Sequence, residues 1–243
     1  MLQAEQILEN FDLHQQIIKS ELGERADQVL SMLDSLGENY IMSPASGKSW
    51  YHNAFPGGYV DHVNRVVECA AKTMRFWESM GATIDFTRQE LIFAALFHDL
   101  GKIGDGEGVG YLEQTDNWRR DKMNEMYVPN PDLDFMLIPD RSLFILQKFG
   151  IPMSQKEFLG IRLHDGVFDD ANKAYFFSYN PDSRMKTNIV NILHSADFMA
   201  SKIEYDIWQR SGGSTRANTQ KTKTSTGQSV KSSEGLSNFV KNL

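Results

Sequence analysis

The stretch FAALFHDLGKIGDGEG, Phe93–Gly108, sets a His-Asp pair at the end of an apolar run, directly before Gly-Lys. A buried aspartate is costly unless something pairs with it, and a histidine one position away ordinarily faces another side of the helix. Two polar side chains in that place call for partners elsewhere in the chain.

Working outward, Thr87 and Glu90 make a capping-box pattern ahead of LIFAALFHDL. A helix is therefore expected to start there and to end near Gly101, whose freedom lets the backbone distort after the pair. Upstream, AEQILENFDLHQQIIKSEL and ADQVLSMLDSLGENY carry apolar residues at helical spacing, the second stopping near Gly37. Met42–Gly58 is rich in Pro, Gly and Ser and reads as a loop, followed by YVDHVNRVVECAAKTMRFWESMG, a long amphipathic helix ending at Gly81. Downstream, EMYVPNPDLDFMLI reads as a short β-hairpin turning at Asn130-Pro131, and Asp140 as the cap of RSLFILQKFG. Ser154 with Glu157 makes a second capping box, before KEFLGIRLHDG, and a last helix is expected from about Ser183 to Arg210.

The expected fold class is all-α, a helical bundle with one short β-hairpin insertion. Residues 1–39 are expected to be helices packing on the core of a domain spanning residues 40–210. Residues 211–243 are rich in Ser, Thr, Gly and Lys, with too little apolar surface to offset ordering entropy, and are expected to be a disordered basic tail.

Composition bounds the function. The single cysteine, Cys69, excludes an intrachain disulfide and fits a reducing compartment. No stretch approaches the roughly 20 apolar residues of a membrane span, and the acidic, amphipathic N-terminus is unlike a targeting peptide. The expectation is a cytoplasmic protein with no membrane partner. Residues 211–243 hold five basic side chains against Glu234 alone, so the net −7 of the chain becomes −11 over residues 1–210. That acidity disfavours long-range capture of a polynucleotide, although a local basic cleft or a metal can still bind phosphate.

Partners for His98 and Asp99 are found among the six histidines. His62 sits in the first turn of the long helix, and His164-Asp165 is a second His-Asp pair at a helix end. His194 and Asp197, three apart on the last helix, share one face. Asp197 lies among apolar residues in NILHSADFMA and needs a positive partner. A divalent cation would satisfy several of these groups together. Imidazole plus carboxylate suits Mn²⁺, Fe²⁺, Co²⁺, Ni²⁺ or Zn²⁺ rather than Ca²⁺.

The order His62, His98-Asp99, Asp197 resembles the H…HD…D signature of the HD-domain metal-dependent phosphohydrolases. PASGKSWYHNAFPGGYVDHVNRV is similar to the loop and first helix of that family. FHDLGKIG, LHDGVFD and LHSADFMAS are similar to its later motifs, so the likeness runs from about Tyr40 to Glu204. It implies an HD-type helical bundle and a mononuclear centre of one divalent transition metal on His62, His98, Asp99 and Asp197, with room left for a second metal. It implies that Lys102 lies near the substrate phosphate and neutralises charge there. His164 would be a second-metal ligand, a phosphate contact or a proton donor, and Asp165 would orient it or cap the turn. His52 would contact substrate or brace the first helix. Arg65 would reach phosphate or form a surface salt bridge, and His194 would support a ligand rather than be one. Asp105 stands near where small nucleotidases of the family place a glutamate. The implied activity is hydrolysis of a phosphoester or phosphoanhydride bond of a small-molecule nucleotide by metal-activated water, with Asp99 accepting the water proton. A phosphodiesterase or 3′-5′ exonuclease acting on nucleic-acid ends stays open, as does a noncatalytic metal- and nucleotide-binding module. Trp118, Tyr127, Phe135, Tyr175, Phe176 and Phe177 are the aromatic residues in irregular segments that could stack a base. His14 lies outside the resemblance.

Overall fold

The computed structural model describes residues 2–178 and 180–213, so the expected tail lies outside the described residues from residue 214 onward. Ten α-helices run through the described residues: α1 (Ala4–Glu21), α2 (Ala26–Leu36), α3 (Glu38–Met42), α4 (Gly58–Ser79), α5 (Arg88–Phe97), α6 (Asn117–Met123), α7 (Ile138–Lys148), α8 (Gln155–Leu163), α9 (Lys173–Phe176) and α10 (Ile189–Arg210). Two short strands, β1 (Tyr111–Glu113) and β2 (Tyr127–Pro129), form the one sheet among these residues, an antiparallel pair. The fold is all-α. No helix of the described residues is long and apolar enough to cross a membrane.

Helix α5 is central because it is apolar all round: every side chain from Leu91 to Phe97 is buried. Its start is fixed locally. Thr87 Oγ1 accepts from the Glu90 amide at 3.2 Å, and the Glu90 carboxylate accepts from the Thr87 amide at 2.8 Å. Helices α4 and α8 pack on it, and α10 lies against α4 and α8. At the α5–α8 contact a β carbon on Gly160 would lie 3.0 Å from Ala94 Cβ, so two small residues let the helices approach closely. The core is continuous, joining Ile17, Ile18, Leu33 and Tyr40 from the N-terminal helices to Val63, Leu96 and Leu193. Cys69 is buried within it.

Three boundaries differ from expectation. Residues Tyr127–Pro129 do form a strand, but its partner lies upstream, with Leu112 opposite Val128, and α6 fills the connection. Asn130 ends the pairing rather than turning a hairpin: its amide and side chain donate to the Gly110 and Val109 carbonyls. Helix α7 begins at Ile138 with Leu137 as its N-cap. Pro139 is tolerated in that first turn, and Asp140 pairs with Arg162 Nε at 2.7 Å instead of capping. The last helix starts at Ile189, because Asp85 Oδ1 accepts from the Asn188 amide and the Asn188 side chain donates to the Thr83 carbonyl, both at 3.0 Å.

The β insertion also straps down the loop before α4. Gly47 O accepts from the Met126 and Tyr127 amides at 2.8 and 3.1 Å, and the Ser49 amide donates to Asn124 O at 3.0 Å. A β carbon on Gly47 would lie 2.7 Å from Tyr127 O, so the strap needs a glycine there.

His14 is fully buried between α1 and its neighbours, its Nδ1 2.7 Å from Asn64 Oδ1 and its Nε2 2.6 Å from Tyr40 Oη. Burial pushes its pKa down from 6.5 to about 4, against the smaller opposing effect of Asn64. Protonation therefore favours the unfolded chain. The stability that neutral His14 contributes is complete above pH 6.5 and is lost as the pH falls toward 4. Urea unfolding should show a loss of about 2 kcal/mol from this group between pH 7 and pH 5. His14→Gln should remove that part of the pH dependence, and identical pH dependence in the two proteins would refute the assignment.

Candidate metal centre

The opening His-Asp pair is resolved by the backbone. Helix α5 ends at Phe97, and His98 keeps helical dihedrals as its C-cap, its Nδ1 donating to Ala95 O at 2.8 Å. That bond leaves Nε2 with a free lone pair. Asp99 then departs to φ −106°, ψ 12°, which swings its carboxylate toward the same point. The turn is held by α7, where Ser142 Oγ accepts from the Gly101 amide at 2.8 Å and lies 3.1 Å from His98 O. Gly101 is required for space rather than for an unusual φ: a β carbon would collide with Ile138 O.

His164 repeats the construction at the end of α8. It is the C-cap, its Nδ1 donates to Ile161 O at 2.8 Å, and its Nε2 lies 3.5 Å from Asp99 Oδ1 and 3.6 Å from Asp165 Oδ1. His62 arrives from the start of the second turn of α4, fully buried, with Nδ1 3.1 Å from a Glu204 carboxylate oxygen. Its Nε2 lies 3.2 Å from Asp197 Oδ1 and 3.6 Å from Asp99 Oδ2. His98 Nε2 lies 3.3 Å from Asp99 Oδ2 and 3.8 Å from Asp197 Oδ1.

These distances are not hydrogen bonds. The Nε2 atoms of both His62 and His98 are buried without a hydrogen-bond partner. Two imidazole nitrogens and two carboxylates thus converge on one point, where acceptors face acceptors unless a proton or a metal cation lies between them. Ligand atoms of His62, His98 and Asp197 all fall within 4.8 Å of one another, as do those of His98, Asp99 and His164, and those of His52, His62 and Asp99. The buried cluster can hold a metal ion, and the donor set fits a divalent transition metal.

The electrostatics show the same demand for positive charge. Burial opposes the charged form of His62, yet Glu204 and the neighbouring carboxylates push its pKa well above the usual range. His164 rises to about 9 against burial, through its contact with Asp99 and the charges of Asp165 and Asp197. Burial would raise Asp99, but Lys102 and His98 hold it well below the ordinary carboxylate range. Asp197 is held low in the same way, chiefly by His62 and His98.

Lys102 Nζ lies 2.6 Å from Asp99 Oδ2 and donates to His52 Nε2 at 3.1 Å. His52 stacks on the His62 ring at 4.6 Å; burial and the charge of Lys102 keep it neutral. Asp165 lines the cleft beside the cluster together with His52, His194 and Asp197. His194 Nδ1 donates to His164 O at 2.7 Å and so supports the turn that carries His164. Arg65 stands apart: its Nε donates to Glu204 Oε1 at 3.2 Å, and its guanidinium lies 3.7 Å from Asp61. It lines a separate cavity with Glu204 and Trp208. Asp105 accepts from the Glu107 and Gly108 amides and closes its own turn.

Two features escape the sequence reading. Glu204 fixes His62, and its one signal is a spacing of seven from Asp197, which puts both on one face of α10. The second is the aromatic lining of the cleft, where none of the six flagged aromatic residues lies; Trp50, Tyr51, Phe168, Phe198 and Tyr205 do. No protein-family model, curated protein or solved structure matches this chain.

Proposed function

We propose that the chain is a metal-dependent phosphohydrolase of HD type, acting on a small nucleotide. One observation carries this reading: the lone buried Nε2 atoms of His62 and His98 face the carboxylates of Asp99 and Asp197 at the end of an open cleft, with the ammonium of Lys102 alongside. When bound, a divalent metal supplies a Lewis acid and lowers the pKa of water at that point.

The residues supply the rest. In hydrolysis the water oxygen forms a new bond to phosphorus as the bond to the leaving oxygen breaks. Asp99 takes the water proton. His164, its Nε2 within 3.5 Å of Asp99 Oδ1, gives a proton to the leaving oxygen. Lys102 neutralises charge that builds on the non-bridging oxygens. His52 holds the Lys102 ammonium in place and faces the cleft, which supports a substrate contact there. The position of Arg65 behind Glu204 supports a positioning role, not a phosphate contact.

The test is release of phosphate, pyrophosphate or triphosphate from a nucleotide panel, using metal-stripped protein reloaded with Mn²⁺, Co²⁺, Ni²⁺ or Mg²⁺. Turnover that requires the metal and disappears in Asp99→Ala is expected. Tight metal binding with no turnover across the panel would sink the hydrolase reading.

A further inference from the structure

A cleft of about 460 Å³ opens directly over Asp197, within the size range of small-molecule sites. Its walls are unusually aromatic for a surface exposed to water. The loop before α4 supplies Trp50 and Tyr51, the turn after α8 supplies Phe168, and α10 supplies Phe198 and Tyr205. Phe168 is 75% exposed, Tyr51 57% and Phe198 48%, so these rings are not spent on the core. Phe168 and Phe198 lie nearly parallel, 13° apart in plane with centroids at 6.5 Å. They present flat apolar faces next to the metal cluster. Phe198 immediately follows Asp197 on α10, which ties the aromatic wall to the centre.

Charge limits the ligand further. The residues lining the cleft include two carboxylates, Asp165 and Asp197, and one ammonium, Lys202, held over the Phe198 ring at 5.0 Å. Lys102 lies behind Asp99 and is already paired with it. A single phosphate can be met by the metal and Lys102. With Asp197 given to the metal, the rest of the wall sets Asp165 against Lys202, so it offers no net positive charge to a polyphosphate tail. We infer that the cleft selects a nucleoside monophosphate, with its base stacked on Phe168 and Phe198 and its phosphate toward Asp197 and Lys102, and disfavours a triphosphate. This rests on the hydrolase reading for the direction in which the phosphate points.

The experiment is calorimetric titration of the Mn²⁺-loaded full chain with adenosine monophosphate, ribose 5-phosphate and adenosine triphosphate, each as a hydrolysis-resistant phosphonate analogue. The monophosphate should bind at least tenfold more tightly than ribose 5-phosphate, and more tightly than the triphosphate. Phe198→Ala and Phe168→Ala should each weaken the monophosphate about tenfold while leaving ribose 5-phosphate unchanged, the range expected for loss of one base-stacking partner. Both rings are exposed, so neither variant should unfold the chain; circular dichroism checks this. Equal binding of ribose 5-phosphate, tighter binding of the triphosphate, indifference to both substitutions, or no binding at all would each overturn the inference. Hydrolysis is assayed separately. Base-dependent binding without turnover would retain this site and remove the hydrolase; turnover that ignores the base would do the reverse.

Discussion

Asp99→Asn is expected to abolish metal uptake and to reduce metal-dependent hydrolysis by about a thousandfold or more. The two oxygens of Asp99 serve different neighbours. Oδ2 lies 3.6 Å from His62 Nε2, 3.3 Å from His98 Nε2 and 2.6 Å from Lys102 Nζ, while Oδ1 faces His164 at 3.5 Å. Asparagine preserves the shape but removes the charge and one acceptor. The cluster then has two imidazoles and one carboxylate, and the ammonium of Lys102 loses its counter-charge in a largely buried place. Wild-type protein at a Mn²⁺ concentration a hundred times Kd should gain about 2.7 kcal/mol of stability, a rise of roughly 5–10 °C in Tm. That rise should be missing in Asp99→Asn. Because the stranded lysine can itself destabilise the fold, Asp197→Asn provides the control. Asp197 sits 3.2 Å from His62 Nε2 with no lysine paired to it, so its loss should remove the metal-induced rise with less effect on the metal-free Tm. A full Mn²⁺-induced shift in both variants would mean that the four side chains do not form a metal centre.

The features legible in the sequence are those whose cause is local. Two capping boxes, Thr87 with Glu90 and Ser154 with Glu157, announce the starts of α5 and α8, because donor and acceptor lie three residues apart. The His-Asp pairs at the ends of those helices are likewise visible. In the first pair the convergence follows from Asp99 leaving helical dihedrals directly after the helix end, whereas Asp165 keeps them. What the sequence hides is set by distant partners. Three-residue strands carry too short a pattern to name their mates, so β2 pairs upstream with β1 and not with the segment that follows it. The start of α10 depends on Asp85 and Thr83, more than 100 residues away. Asp140 is drawn off by Arg162 from another helix. Glu204 sits in SKIEYDIWQR, a charged stretch that resembles a solvated helix face, yet its carboxylate is buried against His62 and Arg65. Arg65 is misleading for the same reason: a basic residue one turn after His62 looks available to phosphate, and only the fold reveals its acidic partners.

Glu204→Gln is expected to weaken metal binding by about 10- to 100-fold while leaving His62, His98, Asp99 and Asp197 in place. The carboxylate accepts from His62 Nδ1 at 3.1 Å, which fixes the tautomer that leaves Nε2 free and fixes the plane of the ring. Glutamine keeps the shape and one acceptor oxygen but withdraws the negative charge that makes the imidazole a better donor to a cation. It also leaves Arg65 with Asp61, 3.7 Å away, as its remaining acid. Glu204→Ala should cost more, about 3–5 kcal/mol of fold stability, because it leaves the buried His62 ring N–H without an acceptor and the nearly buried guanidinium with Asp61 alone. The two variants should therefore separate on unfolding while agreeing on the direction of the metal effect. Arg65→Ala then distinguishes its two possible roles. If Arg65 acts through Glu204, the substitution should weaken Mn²⁺ binding measured without substrate. A raised KM at unchanged Mn²⁺ affinity would instead put the guanidinium on the substrate, and would contradict the 3.2 Å pairing with Glu204 as its resting role.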